Sequence, residues 1–118
     1  MHIEHDALLL RIFMGEQDRC GHRPLYEAIV LKAREVQLAG ATVLRGPMGF
    51  GHSSRMHTAK ILRLSEDLPL VIEIVDTEEK IQSFLPALEE MIGGSSTLVT
   101  LEKVQVLRYG PTRSVTSS

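Results

Sequence analysis

At 118 residues the chain is long enough for one domain with a single modest core. Its charge is nearly balanced, at a formal net of -2 without a block of like charges, and this excludes the basic footprint of a nucleic-acid binder. The single cysteine, Cys20, excludes an intrachain disulfide and fits a reducing cytoplasm.

Residues 7–14 (ALLLRIFM) are aliphatic and end at the turn-prone Gly15-Glu16-Gln17-Asp18, which predicts a buried first strand. Arg11 interrupts the run, and His2, Glu4, His5 and Asp6 precede it, so the segment is expected to be neither a membrane span nor a signal peptide. A cytoplasmic protein is expected. Pro24 stands where a helix should begin, since its missing N–H needs no partner there. Leu25, Ala28, Ile29, Lys32, Ala33 and Val36 then mark one helical face, and Gly40 is expected to be its C-terminal cap. Residues 41–45 return to strand.

Thr58–Leu64 is read as extended and Ser65-Glu66-Asp67 as a turn. Leu68 to Val75 (LPLVIEIV) is the strongest strand signal in the chain. Asp76 or Thr77 can cap the next helix, with Glu78 and Glu79 in its first turn, where the dipole favours them. Its apolar stripe is Ile81, Phe84, Leu85, Leu88, Met91 and Ile92, and Gly93-Gly94-Ser95-Ser96 ends it. Residues 97–107 (TLVTLEKVQVL) alternate as a last strand. One domain is expected over 1–110, with a disordered tail over 111–118. With no Trp, two Tyr and three Phe, the core must be mostly aliphatic.

The order β-α-β-loop-β-α-β predicts a split βαβ sandwich, with both helices on one face of one sheet. Its first and third strands in sequence lie in the middle. Several strands are apolar on both faces, and further subunits are the economical cover for the open one, so an oligomer is expected.

Three glycines within six residues, Gly46, Gly49 and Gly51, follow the second strand, with Phe50 between the last two. Glycine lets backbone N–H groups approach a phosphate without Cβ obstruction. The spacing is neither a Walker loop nor a Rossmann fingerprint, and by itself it suits a bulge or turn. His52, His57 and Met56, with Cys20-x-His22 upstream, are copper or zinc ligand types, but they match no structural zinc spacing and read more simply as solvated loop residues. No nucleophile, base and orienting acid are suggested together, so no catalytic residue is assigned. Arg45, Arg55 and Arg108 flank the glycine-rich elements, which could converge if a neighbouring subunit completes a cleft.

The stretches PLYEAIV, GATVLRGPMGFGH, LSEDLPLVIEIVDTEEKIQSFLP and STLVTLEKVQVLRY, in this order, resemble the PII-like signalling proteins. The nearer resemblance is to the branch known as domain of unknown function 190, and it covers about residues 6–109. It implies an α+β, ferredoxin-like βαββαβ sandwich: an antiparallel sheet with two helices on one face, assembled as a homotrimer with the sheets inward.

It further implies adenine nucleotides bound in clefts between subunits. On that pattern Gly49, Phe50, Gly51 and His52 fall at the base of a signalling loop, 52–64, and Arg45 and Gly46, which open the glycine cluster, are expected at the same nucleotide site. Gly93 and Gly94 fall near a second phosphate-facing loop, and Arg108 falls close to C-terminal basic residues that neutralise phosphate. The loop after Gly51 lacks the long tyrosine-bearing segment used for nucleotidylation, and GGSST (93–97) lacks a phosphate-directed lysine. The expected effector is therefore AMP or ADP rather than ATP, with no required cofactor and no metal. The expected protein is a non-enzymatic regulator of an undetermined target, such as a membrane transporter or an enzyme. The alternative is a copper- or zinc-responsive trimer of the CutA type.

Overall fold

A computed structural model describes residues 5–46, 68–95 and 97–109. The expected strand over 58–64, the signalling loop and the tail lie outside these residues. The main elements run β1 (His5–Gly15), β2 (Arg19–Cys20), β3 (Arg23–Pro24), α1 (Leu25–Glu35), β4 (Thr42–Arg45), β5 (Pro69–Asp76), α2 (Glu78–Ile92) and β6 (Leu98–Val106). The four long strands form one antiparallel sheet in the order β4-β5-β1-β6. The first and third of them in sequence are central, as the split βαβ pattern requires. The α+β sandwich with an antiparallel sheet and two helices is therefore the architecture of the chain.

Period-two alternation sorts the central strands. Leu8, Leu10, Ile12 and Met14 of β1 and Leu70, Ile72 and Ile74 of β5 are buried in one cluster with Leu25, Ile29 and Ala33 of α1 and Ile81, Phe84 and Leu88 of α2. Phe84 is the one aromatic in that buried cluster, so its packing is largely aliphatic. Leu85, Met91 and Ile92 complete the α2 stripe at its margin.

Three local features differ from the sequence reading. Arg19–Cys20 and Arg23–Pro24 pair as a small hairpin, turned at Gly21 with φ 65°. Pro24 closes that hairpin and caps α1, so helical geometry starts at Leu25 rather than at the proline. The expected cap at Gly40 is also displaced. The helix ends at Glu35, and Gln37 takes the left-handed position with φ 64°. Gln37 N–H donates to the Arg34 carbonyl at 3.0 Å, and Leu38 N–H donates to the Ala33 carbonyl at 2.9 Å. Those two bonds close a Schellman motif, with Leu38 folding back toward buried Ala33. Gly40 comes too late to serve.

Of the two candidate caps for α2, Thr77 takes the position: its hydroxyl accepts the Lys80 N–H at 3.3 Å. Pro86 lies inside α2. It has no N–H to give the Gln82 carbonyl one turn earlier, and the helix continues because its apolar stripe is anchored on both sides.

A left-handed non-glycine residue costs about 1–2 kcal/mol in backbone strain. Gln37→Gly should therefore raise the unfolding free energy by about 1 kcal/mol, after allowing for the entropy glycine adds to the unfolded chain. Urea denaturation measures the gain, and an unchanged or lower midpoint would show that residue 37 is not strained.

Candidate functional site

Strand β1 is longer than β5 at one end of the sheet. Leu8 pairs with Asp76, while His5 still pairs with Val106 of β6, so β1 and β6 run on past the end of β5. Residues 107–109 leave β6 there and reach the loop after α1, where the Tyr109 hydroxyl donates to the Ala39 carbonyl at 3.1 Å. Between the strand ends, that loop and the 107–109 segment is a cavity of about 750 Å³. The volume falls within the range of small-molecule sites, roughly 300–1,000 Å³. Ala41, Val75 and Val104 supply aliphatic wall, and Thr42, Glu73 and Arg108 supply polar groups.

The loop that rims the cavity is fixed by one carboxylate. Asp76 is 9% exposed, and its Oδ2 accepts the Ala39 N–H at 2.8 Å while its Oδ1 accepts the Thr77 N–H at 2.7 Å. Lys80 of α2 adds a bond from Nζ to the Gln37 carbonyl at 3.1 Å. The end of α1, the start of α2 and the end of β5 are thereby held together at the rim.

Glu73 also belongs to a charge cluster on the open sheet face. Arg11 Nε donates to its Oε2 at 3.0 Å, and Arg11 NH1 donates to Glu102 Oε1 at 3.2 Å. The Arg11 pKa is raised, chiefly by the hydrogen bond to Glu73 and, against opposing desolvation, by the charges of Glu73 and Glu102. Arg108, by contrast, makes no ion pair among the described residues. It is the arginine that offers an uncommitted charge to the cavity.

The sequence-predicted residues divide between two ends of the sheet. Arg108 lines the cavity. Arg45 and Gly46 lie at the opposite end, where Arg45 pairs with Glu16 and the Gly46 N–H donates to the Pro69 carbonyl at 2.8 Å. Gly93 caps α2 with φ 58°, and Gly94 follows, leading to Leu98, which pairs with Phe13 at that same far end. From Leu98 to Arg108 the chain covers roughly 30 Å, at about 3.3 Å per residue. One chain therefore does not bring Arg108 to Gly46, Gly93 or Gly94. Gly49, Phe50, Gly51 and His52 lie outside the described residues.

Sequence reasoning missed Thr42, Val75 and Tyr109. They come from three segments that only the sheet order brings together, so no local motif marks them. Tyr109 alone carried a signal, as an aromatic just past the last strand in a chain with two tyrosines. Among the described residues, no group of three or more His, Cys, Asp or Glu is placed to hold a metal ion. No helix among them is long and apolar enough to cross a membrane.

The profile of the DUF190 family, described as "Uncharacterized ACR, COG1993", matches residues 7–106. The chain belongs to the DUF190 family. Among curated relatives, the UPF0166 protein of Aquifex aeolicus is 41% identical over 99 residues, spanning 84% of this chain and 91% of that one. Among solved structures, CPII of Thiomonas intermedia K12 bound to ADP, AMP and acetate superposes with a TM-score of 0.64 at 17% identity, over 88% of this chain and 91% of that one. A second structure of CPII, a nitrogen regulatory PII-like protein, bound to ADP, AMP and bicarbonate, gives a TM-score of 0.66 at the same identity, 17%. The DUF190 chain thus has a PII-like fold.

Removing the carboxylate of Asp76 would leave the amides of Ala39 and Thr77 without their partners. Asp76→Ala should cost about 2 kcal/mol of stability, and Asp76→Asn, which keeps one acceptor oxygen, a smaller amount. Chemical denaturation of the two variants checks the order. Equal losses would mean that only one of the two hydrogen bonds matters.

Proposed function

We propose that this DUF190 protein is a non-enzymatic, PII-like regulator whose effector is an adenine nucleotide, AMP or ADP, bound at the cavity beside Thr42, Val75 and Arg108. The observation that carries the reading is a cavity of ligand size with aliphatic wall and one arginine left unpaired among the described residues. Aliphatic wall suits the faces of a purine, and a guanidinium suits a phosphate oxygen pair. Two structures with the same fold, though distant in sequence, hold ADP and AMP. Their bound nucleotides support the choice of ligand class.

The protein acts as a homotrimer in this reading. The open face of the sheet carries Leu9, Phe13, Val71, Val75 and Leu98, of which Phe13, Val75 and Leu98 are exposed in the single chain. Burying that face between copies removes apolar surface from water. Packing of identical chains would also let the end with Arg45, Gly46, Gly93 and Gly94 from one copy meet the cavity end of the next. A cleft closed from both sides would then hold the phosphates. Segment 52–64 reports occupancy to a target protein, by favouring one of its states when ligand is bound. No chemistry on the ligand is needed for that role.

A thermal-shift titration with AMP, ADP and ATP, paired with sedimentation analysis, tests the reading. Ligand at about 100 times its dissociation constant stabilises a native state by about 2.7 kcal/mol, a shift of several degrees for a domain of this size. AMP or ADP should give that shift, Gly49→Val should lose it, and the particle mass should be three times the 13.1 kDa chain. A folded protein whose midpoint ignores millimolar AMP and ADP would refute the nucleotide assignment. A particle with the mass of one chain would refute the trimer.

A further inference from the structure

The segment that closes the cavity on one side is short, and its attachment is specific. Strand β6 ends at Val106, and residues Leu107, Arg108 and Tyr109 follow it across the end of the sheet. The far attachment is the hydrogen bond from the Tyr109 hydroxyl to the Ala39 carbonyl, 3.1 Å long and spanning 70 positions of sequence. Ala39 is a firm anchor because its own N–H is bound by the buried carboxylate of Asp76. The Lys80 bond to the Gln37 carbonyl and the Schellman turn fix the residues just before it.

Arg108 sits between the two attachments. No ion pair among the described residues fixes its position. Among the described residues its backbone is held at β6 on one side and at Tyr109 on the other. Tyr109 is 54% exposed, so its ring is not a core element; the specific thing it supplies is the hydroxyl bond.

We propose that Tyr109 is a positioning residue for Arg108: its bond to the Ala39 carbonyl holds the 107–109 strap across the cavity and so sets the arginine where it meets the phosphate of a bound nucleotide. The inference rests on the nucleotide reading of the cavity. A long cation contributes to binding in proportion to how little freedom it must lose on contact, and a strap tied at both ends removes that freedom beforehand. With the bond gone, Arg108 remains in the chain but is no longer held over the site. The strap also explains why an arginine just beyond the sheet, in a segment without secondary structure, can belong to a defined pocket at all.

The test is a double-variant cycle on the full chain, with Tyr109→Phe, Arg108→Ala and the pair, read by calorimetric titration with ADP at two salt concentrations. Tyr109→Phe removes one oxygen from a half-exposed side chain, and the thermal midpoint of the ligand-free variant confirms that it folds. Losing one positioning hydrogen bond should weaken ADP binding about fivefold. Arg108→Ala should weaken it at least as much, and adding Tyr109→Phe to Arg108→Ala should change nothing beyond a factor of about two. Both single variants should flatten the salt dependence of ADP binding, because each takes the same charge away from the phosphate.

Additive effects in the pair would overturn the proposal, as would a Tyr109→Phe variant with wild-type affinity. A weakened Tyr109→Phe variant that keeps the wild-type salt dependence would overturn it too, since that outcome marks a wall residue. ADP binding by wild type together with additive variants removes the strap alone. A wild-type chain that binds no ADP removes the nucleotide reading itself, and this inference with it.

Discussion

Strand β1 is hydrogen-bonded along both edges, to β5 over eight residue pairs and to β6 over nine. A strand in that position fixes the sheet on either side of it, and its two faces cannot share one cover. Leu8, Leu10, Ile12 and Met14 on its even-numbered side are taken by the two helices. The odd-numbered ones, Leu9 and Phe13 among them, are left on the other face, where the chain has no third layer of its own among the described residues. Most of what distinguishes this domain follows from that division: the helices define stability, and the uncovered face defines what the domain can meet.

The sheet order also explains why the cavity lies where it does. The connection through α1 passes from β1 to an outer strand, and the connection through α2 passes from β5 to the other outer strand. Both helix termini nearest the end of β5 are therefore brought to one corner. Asp76 stands at that corner, the only charged or polar residue among the buried ones described, with both of its oxygens bonded to backbone. A buried carboxylate left without such partners would be costly. Here it sets the spacing of three elements and so the shape of the rim.

Much of the fold could be read from the chain because its elements obey simple periodicities. The strands at 7–14, 68–75 and 97–107 are bounded by turn residues, and their observed limits differ by one or two positions. The helical stripes were legible for the same reason, except that Val36, expected on the α1 face, falls past the end of the helix and is exposed. The end of α1 was not, because a Schellman turn with glutamine in the left-handed position leaves no glycine to mark it. The Arg19–Pro24 hairpin was missed because two-residue strands carry no alternation. Of the site, Arg108 alone was legible. Thr42, Val75 and Tyr109 are ordinary residues in local sequence, and they become a site only when strand pairing places three chain segments at one corner.

The Arg11 cluster has a consequence for any packing of identical chains through the open face. One guanidinium is shared by two carboxylates, so the centre of an apolar surface carries one negative charge in excess. In the isolated chain water and counter-ions screen it at little expense. Bringing several copies together would crowd the excess charges and strip their hydration at once. Dissolved salt shortens the reach of that repulsion, to about 10 Å at 0.1 M. Such an assembly would therefore tighten as ionic strength rises, contrary to the usual behaviour of contacts made by ion pairs, and the composition of the surrounding electrolyte would itself regulate its stability.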